Sequence, residues 1–165
     1  MKSSKKQSLK RPAWGEYFLN LTDVVGHRSN CLRQPVGAVL VQGTYIIATG
    51  YNGTPMNTKN CNEGGCERCA KRHDGLIKEY EDKELCVCVH AEQNALLQSA
   101  YHGVATQDTT LYSTLMPCLQ CAKALINAGV KEVIYREDHY EKGHEDNLGK
   151  KLLKQAGIKV VHFSK

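Results

Sequence analysis

From residue 90 to the C-terminus, helix-like and strand-like segments alternate, and that alternation limits the possible folds more than any other feature. "HAEQNALLQSA" places Ala91, Ala95 and Leu96 or Leu97 at helical spacing, and His102-Gly103 ends it. "TTLYST" (109–114) is a strand by residue type. "PCLQCAKALINAG" carries Pro117 in its first turn and Gly129 as its stop, which marks a helix. "KEVIYRE", "NLGKKLLKQAG" and "IKVVHF" then give strand, helix and strand. Upstream, "VGAVLV" (36–41) and "YIIATGYN" (45–52), joined by "QGT", form a hairpin. Before it, Trp14, Phe18, Leu21 and Val25 recur at helical spacing from a start near Pro12. The order α-β-β-α-β-α-β-α-β predicts an α/β fold, a three-layer α/β/α sandwich around a mixed five-stranded sheet.

A chain of 165 residues suits one domain. We expect a basic, disordered tail over 1–11 and a single domain over 12–165, interrupted by a Cys-rich insert at about 54–88. The charge of +5 sits in that tail: Lys2, Lys5, Lys6, Lys10 and Arg11 precede the first acid, Glu16, and the remaining basic residues match the 17 acids in number. A balanced body gives no support for a nucleic-acid backbone as partner, because such binding is driven by phosphate neutralisation. No run approaches the roughly 20 apolar residues of a membrane span. "MKSSKKQSLK" is followed by no apolar segment, so a cytoplasmic location is the default expectation. In a reducing compartment eight cysteines are metal ligands or buried apolar fillers rather than a disulfide framework.

His90, Cys118 and Cys121 fall at two helix starts separated by one strand. Cysteines three apart project from one face of a turn, and the helix N-terminus favours thiolate over thiol. Zinc takes such thiolates together with a neutral imidazole, and three protein ligands leave the fourth position open for water, as a catalytic site requires. Glu92, two residues past His90, can reach that position without being a ligand and so can move a proton. His-x-Glu followed by Pro-Cys-x-x-Cys is the signature of zinc deaminases.

A second group of sulfurs lies in and before the insert. Cys61, Cys66 and Cys69 follow the pattern Cys-x4-Cys-x2-Cys, with Gly64 and Gly65 to permit a turn. Cys86 and Cys88 follow on what reads as one strand face, and Cys31 precedes the first strand. A segment with so few apolar groups cannot order itself by burial, and a metal would supply what a core does not. Six sulfurs thus compete for four places or for two linked sites, unless some are fillers.

Four stretches, "CLRQPVGAVLV", "ATGYNGTP", "HAEQNA" and "PCLQCAKALINAG", make the chain resemble the cytidine and deoxycytidylate deaminase superfamily over roughly residues 12–163. Within it, "GYNG" and Asn94 are similar to the deoxycytidylate (dCMP) deaminases, whereas tRNA adenosine deaminases usually lack both. The resemblance implies the cytidine deaminase-like fold and hydrolysis of dCMP to dUMP and ammonia, which feeds thymidylate synthesis. It implies His90, Cys118 and Cys121 as zinc ligands, Glu92 as proton shuttle, and substrate contacts from Ala91, Asn52, Asn94, Arg33 and Tyr140, the last two towards the 5′-phosphate. It implies a structural zinc with Cys31, Cys61 and Cys88 among its ligands. It further implies a homohexamer activated by dCTP, inhibited by dTTP, with Mg²⁺ on the triphosphate and Gly50 and Gly53 near the effector. The rival readings are a zinc deaminase acting on tRNA adenosine, a free nucleoside or single-stranded DNA, and a zinc-held binding module without catalysis.

Overall fold

The fold is built outward from the strand at its centre. In a computed structural model describing residues 11–78, 81–138 and 148–164, β1 (Gly37–Gln42) is almost wholly buried, as its run of small and β-branched residues requires. Its side chains alternate between two cores. Val39 and Val41 face Phe18 and Leu19 of α1 (Trp14–Gly26), whereas Ala38 and Leu40 join the larger core on the opposite face.

β2 (Tyr45–Tyr51) and β3 (Thr110–Leu115) flank β1 and run antiparallel to it; β4 (Glu132–Glu137) and β5 (Lys159–His162) follow in parallel. The sheet order β2-β1-β3-β4-β5 is the mixed five-stranded sheet expected. The larger core draws on α3 (Ala91–Tyr101), α4 (Leu119–Asn127) and α5 (Leu148–Gln155), while among the described residues α1 is the helix that covers the other face. Leu111, Val133, Leu125 and Leu153, all fully buried, form its centre. Among the described residues no helix is long and apolar enough to cross a membrane.

Two elements differ from the sequence reading. On α1 the buried set is Phe18, Leu19, Thr22 and Gly26, while Trp14 is half exposed and stacks on Phe18. The helical period holds, with its phase offset by one residue, because Gly26 and Thr22 pack against the backbone of Gly37. The insert, in turn, is not irregular throughout. It contains α2 (Glu67–His73) and single 3₁₀ turns at Cys61–Glu63 and Lys83–Leu85. The tail over 1–10 lies outside the described residues.

One close contact fixes the position of α3. A side chain at Gly50 would place its Cβ 2.1 Å from the carbonyl oxygen of Ala91 and 2.4 Å from the amide nitrogen of Ala95. Backbone atoms cannot step aside as a flexible side chain can. Gly50→Ala should therefore destabilise the fold by about 1–3 kcal/mol, outweighing the smaller gain from a stiffer unfolded chain. Chemical denaturation checks this; an unchanged midpoint would mean that β2 and α3 do not pack as closely as described.

Candidate metal and active site

The turn after β3 and the start of α3 bring the three ligands together. His90 is the N-cap of α3, Cys118 the N-cap of α4, and Cys121 lies in the first turn of α4. Two of the three thus stand just ahead of their helices rather than within the first turn. Gln93 steadies the first of them, since its Oε1 accepts a hydrogen bond from the His90 amide at 3.4 Å.

The Sγ atoms of Cys118 and Cys121 each lie 3.4 Å from Nδ1 of His90. In a tetrahedral zinc site, with bonds of about 2.0–2.1 Å to nitrogen and 2.3 Å to sulfur, ligand N and S stand about 3.5 Å apart. The donor set and its spacing therefore fit zinc, with Nδ1 as the histidine ligand. The protonation pattern agrees. Hydrogen bonds from Cys121 and from His90 lower Cys118 to about 3, the bond to Cys118 raises His90 to about 9, and Cys121 is pushed up as the donor to Cys118. These directions set one acceptor sulfur, Cys118, between two donors, His90 and Cys121, an arrangement in which a cation can take the place of the protons.

Glu92 is 4% exposed, one residue into α3, and burial raises the pKa of its carboxyl. It lines a cavity with His90, Ala91, Cys118, Met116, Asn52 and Arg33. A buried acid beside an open metal position can accept a proton from water there and return it elsewhere.

The remaining expected site residues separate. Arg33, Asn52 and Ala91 line the cavity. The Asn52 Oδ1 accepts from the Val36 amide at 2.8 Å and from Ser29 Oγ at 2.7 Å, and its Nδ2 donates to the Gln34 carbonyl at 2.9 Å. Asn52 therefore ties the loop before β1 to the end of β2 and builds a wall of the cavity. Asn94 is held elsewhere: its Nδ2 donates to the Tyr51 carbonyl at 2.7 Å, which fastens α3 to the outer strand. Gly50 and Gly53 are both buried, and their missing side chains admit the α3 backbone and Asn30 respectively. Those two glycines serve packing within the chain. Tyr140 lies outside the described residues.

A second recess, lined by Leu32, Arg33, Gln34, Arg72 and His73, adjoins the first through Arg33 and Gln34. Arg72 and His73 escaped the sequence reading, although "KRH" closing α2 was the available signal.

The six other cysteines converge. Ligand-competent groups form from Cys31, Cys61, Cys69 and Cys88, and from Cys66, Cys69, Cys86 and Cys88. Cys86 and Cys88 do not share a strand face as expected; they lie in extended chain whose nearest pairing is a bridge between Gly53 and Val89. Both sulfurs nonetheless reach Cys69 of α2, at 3.7 and 3.9 Å. Hydrogen bonds from Cys88 lower Cys31 to about 5 and Cys86 to about 4.

Residues 12–137 match the family described as the cytidine and deoxycytidylate deaminase zinc-binding region. The deoxycytidylate deaminase of Saccharomyces cerevisiae is 40% identical over 99% of this chain, and that of Schizosaccharomyces pombe 39% identical over 93%. The chain spans only 49% and 45% of those two relatives. Among solved structures, a dCMP deaminase from the cyanophage S-TIM5, in complex with dCMP and dUMP, superposes with a TM-score of 0.72 at 32% identity, over 93% of this chain and 99% of that one.

Proposed function

The chain belongs to the cytidine and deoxycytidylate deaminase family, and from that premise we propose that it is a zinc-dependent hydrolase converting dCMP and water to dUMP and ammonia. The observation that carries the reading is a buried carboxyl, Glu92, sharing one cavity with a fitting His-Cys-Cys donor set. Zinc held by His90, Cys118 and Cys121 supplies a Lewis acid that makes water acidic near neutral pH. Glu92 takes the proton that water gives up as its oxygen bonds to C4 of the cytosine ring. It delivers that proton to ring N3 and then carries the second water proton to the amino group, which leaves as ammonia. Burial keeps bulk water from intercepting the proton between those steps.

Ala91 offers its backbone to the base edge, and Asn52 shapes the wall beside it. The phosphate is assigned to Arg33, backed by Arg72 and His73 in the adjoining recess. That basic recess favours a nucleotide over a free nucleoside. Support for dCMP in particular comes from the cyanophage relative bound to dCMP and dUMP.

Family resemblance extends the reading to a structural zinc in the cysteine cluster and to a cytoplasmic homohexamer activated by dCTP with Mg²⁺ and inhibited by dTTP. The same extension places Gly50 and Gly53 near the effector, where their missing side chains also admit the α3 backbone and Asn30.

A charge-assisted hydrogen bond to phosphate contributes about 1.5–3 kcal/mol, or roughly tenfold to a hundredfold in affinity. The wild-type chain should thus favour dCMP over deoxycytidine by at least that factor in kcat/KM, and Arg33→Ala should narrow the gap. Equal kcat/KM for the two substrates would sink the phosphate assignment while leaving the zinc chemistry in place.

A further inference from the structure

We propose that the six cysteines of the insert and its neighbours hold not one but two zinc ions, as a binuclear thiolate cluster in which Cys69 and Cys88 bridge. The proposal deepens the reading of a structural zinc given above.

The two ligand-competent groups are not alternatives drawn from a loose pool. Cys31 and Cys61 belong to one, Cys66 and Cys86 to the other, and both contain Cys69 and Cys88. Two four-sulfur groups with two members in common describe two tetrahedra sharing an edge. A zinc–sulfur bond of about 2.3 Å sets each edge of such a tetrahedron at about 3.8 Å. The shared pair, Cys69 and Cys88, stands at 3.9 Å, Cys66 and Cys86 at 3.9 Å, and Cys69 and Cys86 at 3.7 Å. These three edges already have the ligand spacing of one site, and the four sulfurs of the other, which shares the Cys69–Cys88 edge, lie within 4.8 Å of one another.

Charge allows the second ion. Four thiolates around one Zn²⁺ carry a net charge of −2, and six thiolates around two Zn²⁺ also carry −2. Filling the second site exchanges two thiol protons for one Zn²⁺ and therefore adds no net charge to the interior. A single ion in the Cys31–Cys61–Cys69–Cys88 group would leave Cys66, at 1% exposure, and Cys86 as thiols at ligand distance from one another.

The packing shows what the cluster is for. The core around these sulfurs contains Cys61, Cys66 and Cys69 with Leu32 and the other cysteines at its edge, and among the described residues no large apolar side chain besides Leu32. Sulfur takes the place of a hydrophobic core, and two ions join the loop before β1, the 3₁₀ turn at Cys61, α2 and the chain leading to α3. Cys31, Cys86 and Cys88 also line the catalytic cavity, and Cys88 is two residues ahead of His90. The cluster thus forms one wall of the active site and positions α2, which carries Arg72 and His73.

Zinc content of the intact chain, counted by native mass spectrometry, tests this directly. Three ions per chain are expected in the wild type, two in the Cys118→Ser/Cys121→Ser variant and two in Cys66→Ser. Fewer than two ions in the double variant, or a Cys66→Ser variant with the wild-type count, would overturn the binuclear cluster. The double variant isolates the cluster, so failure of the catalytic site is seen separately. Should a variant not fold, X-ray absorption of the wild-type protein decides, since bridging sulfurs bring the ions close enough for a zinc–zinc scattering path. Absence of that path overturns the proposal.

Discussion

Glu92→Gln is expected to lower kcat for dCMP by about 10²- to 10⁴-fold, the usual contribution of a positioned proton-transfer group, with zinc content unchanged. Gln keeps the volume of a side chain that is 4% exposed, so the cavity wall should stand. What it lacks is an oxygen basic enough to take a proton from water and carry it to N3 and to the leaving nitrogen. Because every step of the proposed cycle passes through this one group, KM should move far less than kcat. Metal analysis beside steady-state kinetics makes the comparison. A variant that turns over dCMP at the wild-type rate would remove Glu92 from the mechanism.

Cys121→Ser should have an effect as large by a different route. Cys121 is fully buried and its sulfur lies 3.4 Å from Nδ1 of His90. A serine oxygen sits on a shorter bond and is not deprotonated at neutral pH, so the three-donor set becomes two. Loss of even an outer partner of a zinc ligand costs 10- to 100-fold in affinity or activity, and loss of a ligand itself should cost at least the upper figure. The variant should lose one zinc per chain and at least about 100-fold in activity. Thermal stability should fall as well, because an ion that binds only the folded chain no longer stabilises it. Added zinc should restore little. Full activity with a full complement of zinc would show that Cys121 is not a ligand.

The fold was legible where residue type and helix boundaries are local signals. β1 alternates between two cores, α4 is bracketed by Pro117 and Gly129, and these are local signals that tertiary packing did not override. The insert was not legible because its order does not come from apolar side chains. No period marks α2, whose buried residues are Arg68 and Cys69 and whose neighbours are sulfurs brought in from Cys31 to Cys88. The catalytic triad of donors could be read from spacing, since His90 and the Cys118–Cys121 pair each sit at a helix start. Asn52 and Asn94 could not be ranked in that way. Both are amides beside a strand end, and only the hydrogen bonds show that one walls the cavity while the other pins α3 to Tyr51. Arg72 and His73 became site candidates only once α2 was folded against the loop carrying Arg33.

The central claim is that this chain hydrolyses the C4 amino group of dCMP through zinc and Glu92. Incubation of the zinc-loaded chain with dCMP in ¹⁸O-labelled water, with product and ammonia quantified together, tests it most directly. dUMP and ammonia are expected in equal amounts, with the label in the new carbonyl oxygen and none of this chemistry in Glu92→Gln. No ammonia from dCMP, with turnover instead of deoxycytidine or of cytosine within an oligonucleotide, would contradict it.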